Sequence, residues 1–207
     1  ARKFASNQSQ FFLDELISFA AIPSISTEPE CENDMNIAAE WVSAKLKSLG
    51  MANVRIFRTG GHPLVFGEYL LAGSDAPTIL VYGHYDVQPA APIENWDSDP
   101  FKPEVRGDHL YGRGVSDMKG QIAATLFAVE SLIKAGGIPV NLKFMIEGEE
   151  EIGARKVETL VKEKKDKRSG DVLLIYDTSS IANDTPSITV GLRGMSDMEV
   201  EVTGPNR

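Results

Sequence analysis

Apolar and polar positions along this chain follow two periods, and each change of period marks an element. From Ser9 to Ala21 the apolar residues Phe12, Leu13, Leu16, Ile17 and Ala20 recur at helical spacing until Pro23 ends the pattern. A polar stretch, Ser24 to Glu32, leads to a second predicted helix. Asn33 or Asp34 caps it, its apolar face runs through Ile37, Ala38, Trp41, Val42 and Leu46 to Leu49, and Gly50 closes it. Strands are predicted over Asn53 to Phe57 and Leu64 to Leu71. A third, Ile79-Leu80-Val81-Tyr82, is short, apolar and bounded by Pro77 and Gly83, which predicts burial on both faces. Gln88 to Arg113 is a long connection with Pro89, Pro92, Pro100 and Pro103, over which Trp96 and Phe101 fold; loops of that length are usually functional or packed as lids. His109 falls in a hairpin strand at the surface. A strongly apolar helix follows from Gln121 to Lys134, stopped by Gly136-Gly137. Then come a buried-type strand from Val140 to Ile146, a helix from Ala154 to about Lys165 and an apolar strand from Asp171 to Tyr176. The helix ends in a solvated basic run, Lys162 to Arg168. Pro186 to Val190 and the alternating Met195 to Val202 read as strands that need another sheet to pair with.

Chemistry gathers where these strands end. Ligands of open α/β sheets bind beyond the carboxyl ends of the strands, and His84 and Asp86 lie at such an end. If the extended geometry persists, the two project to one side, and the carboxylate can fix the imidazole tautomer that leaves the other nitrogen free for a metal. A buried histidine paired with a neighbouring acid is the simpler reading of that pair alone. The strand over 140–146 discharges into Glu147-Gly148-Glu149-Glu150-Glu151, four acids in five positions. Like charges so crowded raise one another's pKa unless a cation neutralises them, although acids also suit the first turn of a helix. Asp177 ends a further strand, and Asp117 sits in the loop before the apolar helix. Taken together, these four placements point to a carboxylate-rich metal site. The glycines of Gly112 to Gly120 have neither P-loop nor dinucleotide spacing. His62, in Gly60-Gly61-His62-Pro63, reads as a loop residue with nothing at ligand spacing beside it.

Composition narrows the partners. Of 207 residues, 42% are hydrophobic and 25% charged, enough for one sizeable core, and the formal net charge of -9 argues against a nucleic-acid partner. No apolar run approaches the length that spans a bilayer, so no membrane partner is expected. A single cysteine, Cys31, excludes an internal disulfide and a cysteine-based zinc knuckle, and favours a reducing, cytoplasmic setting. Any metal must be held by histidines and carboxylates.

Several stretches, in order, resemble signatures of the M20 family of two-metal peptidases, most of all its cytosolic nonspecific dipeptidase (carnosinase-like) branch. They are Tyr82-Gly83-His84-Tyr85-Asp86-Val87-Gln88-Pro89, Trp96 to Phe101, Tyr111-Gly112-Arg113-Gly114 through Asp117-Met118-Lys119-Gly120, Glu150-Glu151-Ile152-Gly153 and Gly191-Leu192-Arg193-Gly194. The resemblance implies an α/β fold, a mixed, mostly parallel sheet flanked by helices. Residues 1–190 would form the N-terminal part of the catalytic domain, and 191–207 the first strands of a truncated lid through which the protein homodimerises. His84 would ligate one metal with Asp177, Asp117 would bridge both ions, Glu151 would join the second, Asp86 would orient His84, and Glu150 would be the general base. The cofactors implied are two Zn2+, with Mn2+ or Co2+ as substitutes. The substrate would be a dipeptide or small peptide, its amide bond cleaved by a zinc-bridged water. The family also tends to have a cis peptide after the bridging aspartate, here Asp117 to Met118. The lid histidine and the last histidine ligand of the family are absent from this stretch, so by itself it is expected to be inactive. An N-acyl-amino-acid amidohydrolase of desuccinylase or aminoacylase type is the alternative activity, and a non-catalytic relative the alternative class.

Overall fold

A computed structural model describes residues 1–163, 167, 169–182, 185 and 187–205. Two units are distinguished, Ala1–Asp177 and Thr178–Arg207. Among the described residues, the first holds all the α-helices and strands. These are helices α1 (Arg2–Asn7), α2 (Ser9–Ala20), α3 (Glu32–Ser48), α4 (Lys119–Lys134) and α5 (Arg155–Glu163), with strands β1 (Ala52–Phe57), β2 (Leu64–Tyr69), β3 (Thr78–His84), β4 (Glu104–Arg106), β5 (His109–Tyr111), β6 (Asn141–Glu147) and β7 (Val172–Ile175). The main sheet runs β1-β2-β6-β3-β7, and β4 and β5 form a separate hairpin. β6 and β7 both pair parallel to β3, while β2 pairs antiparallel with both β6 and β1. This is the mixed sheet flanked by helices that the resemblance implies.

The alternation of side chains sorts the core into two layers. Val65, Val81, Leu142, Phe144 and Ile146 meet α2, α3 and α4 through Phe19, Ala38, Val42, Leu46, Ile122 and Leu126. Leu64, Phe66, Leu80 and Met145 point the other way and meet Val157 of α5. Trp41, expected in the core, is partly buried and packs against it, with its ring stacked on Phe19 at 4.1 Å between centroids. Lys45 of α3, buried, donates to Glu15 of α2 at 2.5 Å and to Glu130 of α4 at 2.9 Å, so one cation ties three helices together.

Some boundaries differ from expectation, each for a local reason. α1 has no counterpart in the periodic pattern, because six residues are too few to show one. Asn33 and Asp34 do not cap α3. The 3-10 turn Pro29–Cys31 runs directly into the helix, which starts at Glu32 with Cys31 at its N-cap, so both residues lie in its first turn. In α5, the expected basic end at Lys164, Lys165, Asp166 and Arg168 lies outside the described residues. So does Pro186, the expected start of a tail strand. Among the described residues of the second unit the only pairing is an isolated bridge between Ala182 and Thr185. Ile188, Val190, Leu192, Met198, Val200 and Val202 are exposed there. Their alternation suits a strand, but a strand forms only where a neighbour takes its hydrogen bonds.

Candidate metal centre

The site lies beyond the carboxyl ends of β3, β6 and β7 and is built around one imidazole. His84, the last residue of β3, is fully buried. Its Nδ1 lies 3.1 Å from the Asp86 carbonyl oxygen and 3.2 Å from Asp86 Oδ1. A proton on Nδ1 is thereby held, and Nε2 is the nitrogen left to a ligand. Nε2 faces carboxylates from three other segments. Asp117 Oδ1 and Asp177 Oδ2 are each 3.2 Å away and Glu150 Oε2 is 3.9 Å away.

Two groups of ligand-type atoms result, each within 4.8 Å: His84 with Asp117 and Asp177, and His84 with Glu150 and Glu151. The structure therefore brings together every residue proposed from the sequence as a ligand or base. Asp86 sits behind them, fully buried, and its carboxylate does more than face His84. Oδ1 accepts the backbone N–H of Glu150 at 3.3 Å and Oδ2 that of Glu151 at 3.1 Å.

The loop that carries Asp117 is tightly folded. The peptide from Asp117 to Met118 is cis. Gly114 has φ +78°, and a Cβ there would stand 2.6 Å from Val87 Cγ1; one on Gly120 would stand 2.0 Å from the Val115 carbonyl oxygen. Lys119 is fully buried beneath this loop, and its Nζ donates to the carbonyls of Phe19 at 3.2 Å, in the last turn of α2, and of Ile22 at 2.6 Å, just beyond it. Burial pulls its pKa down to about 7, against the raising influence of Asp86 and Asp34.

The electrostatics call for a cation. Burial pulls the His84 pKa down, but the Asp86 hydrogen bond and the charges of Asp86, Asp177 and Glu150 overcome it and lift it to about 10. A proton is thus held where the acids converge. Glu150 is raised by burial first, His84 opposing, with Glu151, Asp177 and Asp86 adding to the rise. Glu151 is also raised by burial, while a 2.8 Å hydrogen bond from Gln88 Nε2 lowers it and Asp117 raises it. One imidazole nitrogen and four mutually repelling carboxylates, two of them more than two-fifths exposed, form a donor set that suits divalent cations.

The run of acids divides in a way the sequence does not show. Glu147 and Glu149 are buried, and neither belongs to the ligand groups. Glu147 Oε1 accepts the Tyr82 hydroxyl at 2.8 Å and Oε2 accepts the Glu149 N–H at 2.5 Å. Burial raises Glu147 to about 7, the two hydrogen bonds opposing. Glu149 Oε1 accepts the His62 N–H at 3.3 Å, and His62 Nε2 lies 2.9 Å from the Ser26 carbonyl oxygen. His62 is a loop residue as expected, though engaged. His109 is exposed on β5. Gln88, Glu147 and Tyr82 were missed as parts of the site, since each acts through a partner distant in sequence.

A mixed α/β sheet with a histidine and several carboxylates beyond its carboxyl edge has the arrangement of a metal-dependent enzyme site. Within that class, the model of peptidase family M20/M25/M40 matches residues 80–206, and the chain belongs to this family. It is 35% identical over 204 residues to a cysteinylglycine-S-conjugate dipeptidase of Corynebacterium striatum, covering 95% of this chain and 43% of that protein. It is 37% identical over 207 residues to the human Beta-Ala-His dipeptidase, covering 92% and 40%. Among solved structures it is similar to human carnosine dipeptidase 1, with a TM-score of 0.79 and 31% identity over 86% of this chain and 41% of that one. The chain thus spans about two-fifths of the length of these relatives.

Proposed function

We propose that this chain supplies most of the metal site of a dipeptidase that cleaves the amide bond of unblocked dipeptides, of the kind the relatives' names describe. The observation that carries this reading is the convergence on His84 Nε2 of carboxylates from three segments outside its own strand. His84, Asp117 and Asp177 would hold one divalent cation, and Asp117 with Glu151 the second; Zn2+ suits the mixed nitrogen and oxygen donors, with Mn2+ or Co2+ as substitutes. When bound, such ions acidify water and polarise an amide carbonyl.

The chain's own residues do the rest. Asp86 keeps the His84 Nδ1 proton in place, so Nε2 stays a donor atom. Glu150, held by its backbone to Asp86 and with its carboxyl pKa raised by burial, is the general base: it takes the proton of the attacking water and returns it to the leaving amine. Gln88 holds one oxygen of Glu151 and leaves the other to a ligand. No helix among the described residues is long and apolar enough to cross a membrane. A cytoplasmic homodimer, joined through a lid domain that begins near residue 191, is the setting proposed for the whole protein.

Titration of the chain with Zn2+ tests the site. One or two ions should bind, with affinity at least tenfold weaker in His84→Ala and in Glu151→Ala. Glu150→Gln should retain metal binding, yet abolish hydrolysis of cysteinylglycine or β-alanyl-histidine when placed in the whole protein. Wild-type turnover in Glu150→Gln would remove the base from the mechanism. Preference for N-acyl amino acids over free dipeptides in the same assay would favour the amidohydrolase reading.

A further inference from the structure

Glu147 is a buried carboxylate with no task in the mechanism above. It ends β6 directly opposite His84 in the parallel register with β3. Both its oxygens are engaged, one by the Tyr82 hydroxyl and one by the N–H of Glu149. The next two N–H groups, of Glu150 and Glu151, go to the two oxygens of Asp86. Three consecutive amides therefore end on two fully buried carboxylates, and the last two belong to the residues that face His84. The turn between them has no slack, since a Cβ on Gly148 would stand 2.5 Å from the buried ring of Tyr85.

We propose that Glu147, held by Tyr82, is a positioning residue that fixes the 148–151 turn so that Glu150 and Glu151 present their carboxylates beside His84. When ionised, a buried carboxylate that accepts an amide N–H makes a charge-assisted bond, roughly twice as strong as a neutral one. It is placed where a shift of the chain would move both glutamates together. Tyr82 is on the strand that carries His84, so the same hydrogen bond locks the β6 turn to the β3 end. The inference rests on the metal reading, and the experiment separates the two.

Amide hydrogen exchange at residues 149–151 is to be followed in the metal-free chain, as wild type, Glu147→Gln and Tyr82→Phe. Zn2+ is then titrated into the same three and into Glu147→Gln combined with Glu151→Gln. Glu147→Gln keeps the size of the side chain but turns an NH2 toward one of the two donors. Exchange at all three amides should accelerate about fivefold or more, the scale of one lost hydrogen bond. Zn2+ affinity should fall about tenfold, the lower end for a group behind a ligand. Tyr82→Phe should move both in the same direction by less, and serves if Glu147→Gln does not fold. In the Glu151→Gln background the further loss from Glu147→Gln should disappear, because the effect passes through Glu151. An equal loss in that background would mean general destabilisation and overturn the proposal, as would unchanged exchange at 149–151. A wild-type chain that takes up no Zn2+ would overturn the metal reading and the role with it, while exchange still reports whether the contact exists.

Discussion

β6 and β7 flank the same strand, run parallel to it and are both rich in apolar residues, yet they live in opposite environments. All seven residues of β6 are buried between the α2–α4 layer and α5. All four of β7 are exposed, from 40% at Leu174 to 58% at Leu173. An apolar run states a demand for cover on both faces; it does not say which part of the protein meets the demand. The site inherits the difference. Glu150 and Glu151 follow a strand locked into the core, whereas Asp177 follows one held by its hydrogen bonds to β3.

The sharpest way to break this comparison is to empty the core beneath β6. Phe144 is buried at its centre, and Phe144→Ala should cost about 3–5 kcal/mol, the range for large aromatic truncations. Urea unfolding of the metal-free chain measures it. A cost below about 1 kcal/mol would mean that β6 is no better anchored than β7.

Lys119 sharpens the same point with charge, because the buried side of the site is anchored through it to the end of α2. Its folded pKa, about 7, lies below the ordinary 10.5. Between those values the unfolded chain binds the extra proton, so this group makes stability rise with pH across that window and contributes no slope below it. Lys119→Met should remove that contribution. It also removes the lysine's hydrogen bonds to the carbonyls of Phe19 and Ile22, which keep the N–H groups of Ile22 and Ser24, at about 1 kcal/mol. Between pH 7 and pH 10, both in chelator, the wild-type stability curve should therefore rise relative to that of the variant. Parallel curves would show that the lysine is not neutralised on folding.

How much of this was legible in the chain depends on the range of the contact. His84 and Asp86 could be read because a strand's period of two places them together, and the helices of the core could be read from their 3.6-residue period. The acidic run could not be resolved. Four acids in five positions look alike in sequence, but Glu147 is claimed by Tyr82, 65 positions away, and Glu149 by His62, 87 away. Only folding separates the buried pair from the pair beside His84. The tail shows the converse. Its alternation from Met195 to Val202 is plain, but the hydrogen-bonding neighbour a strand requires is not a property of the segment.

The smallest effect belongs to β7 and tests the comparison from its other side. Leu173 pairs with Leu80 in the sheet, but its side chain is 58% exposed. Leu173→Ser removes a large apolar group from the surface and leaves the backbone pairing intact. The change in unfolding free energy of this chain should stay within about 0.5 kcal/mol, as for ordinary surface substitutions. A loss of 2 kcal/mol or more would mean that β7 is covered in solution by something this chain supplies, and Asp177 would then stand on ground as firm as Glu151.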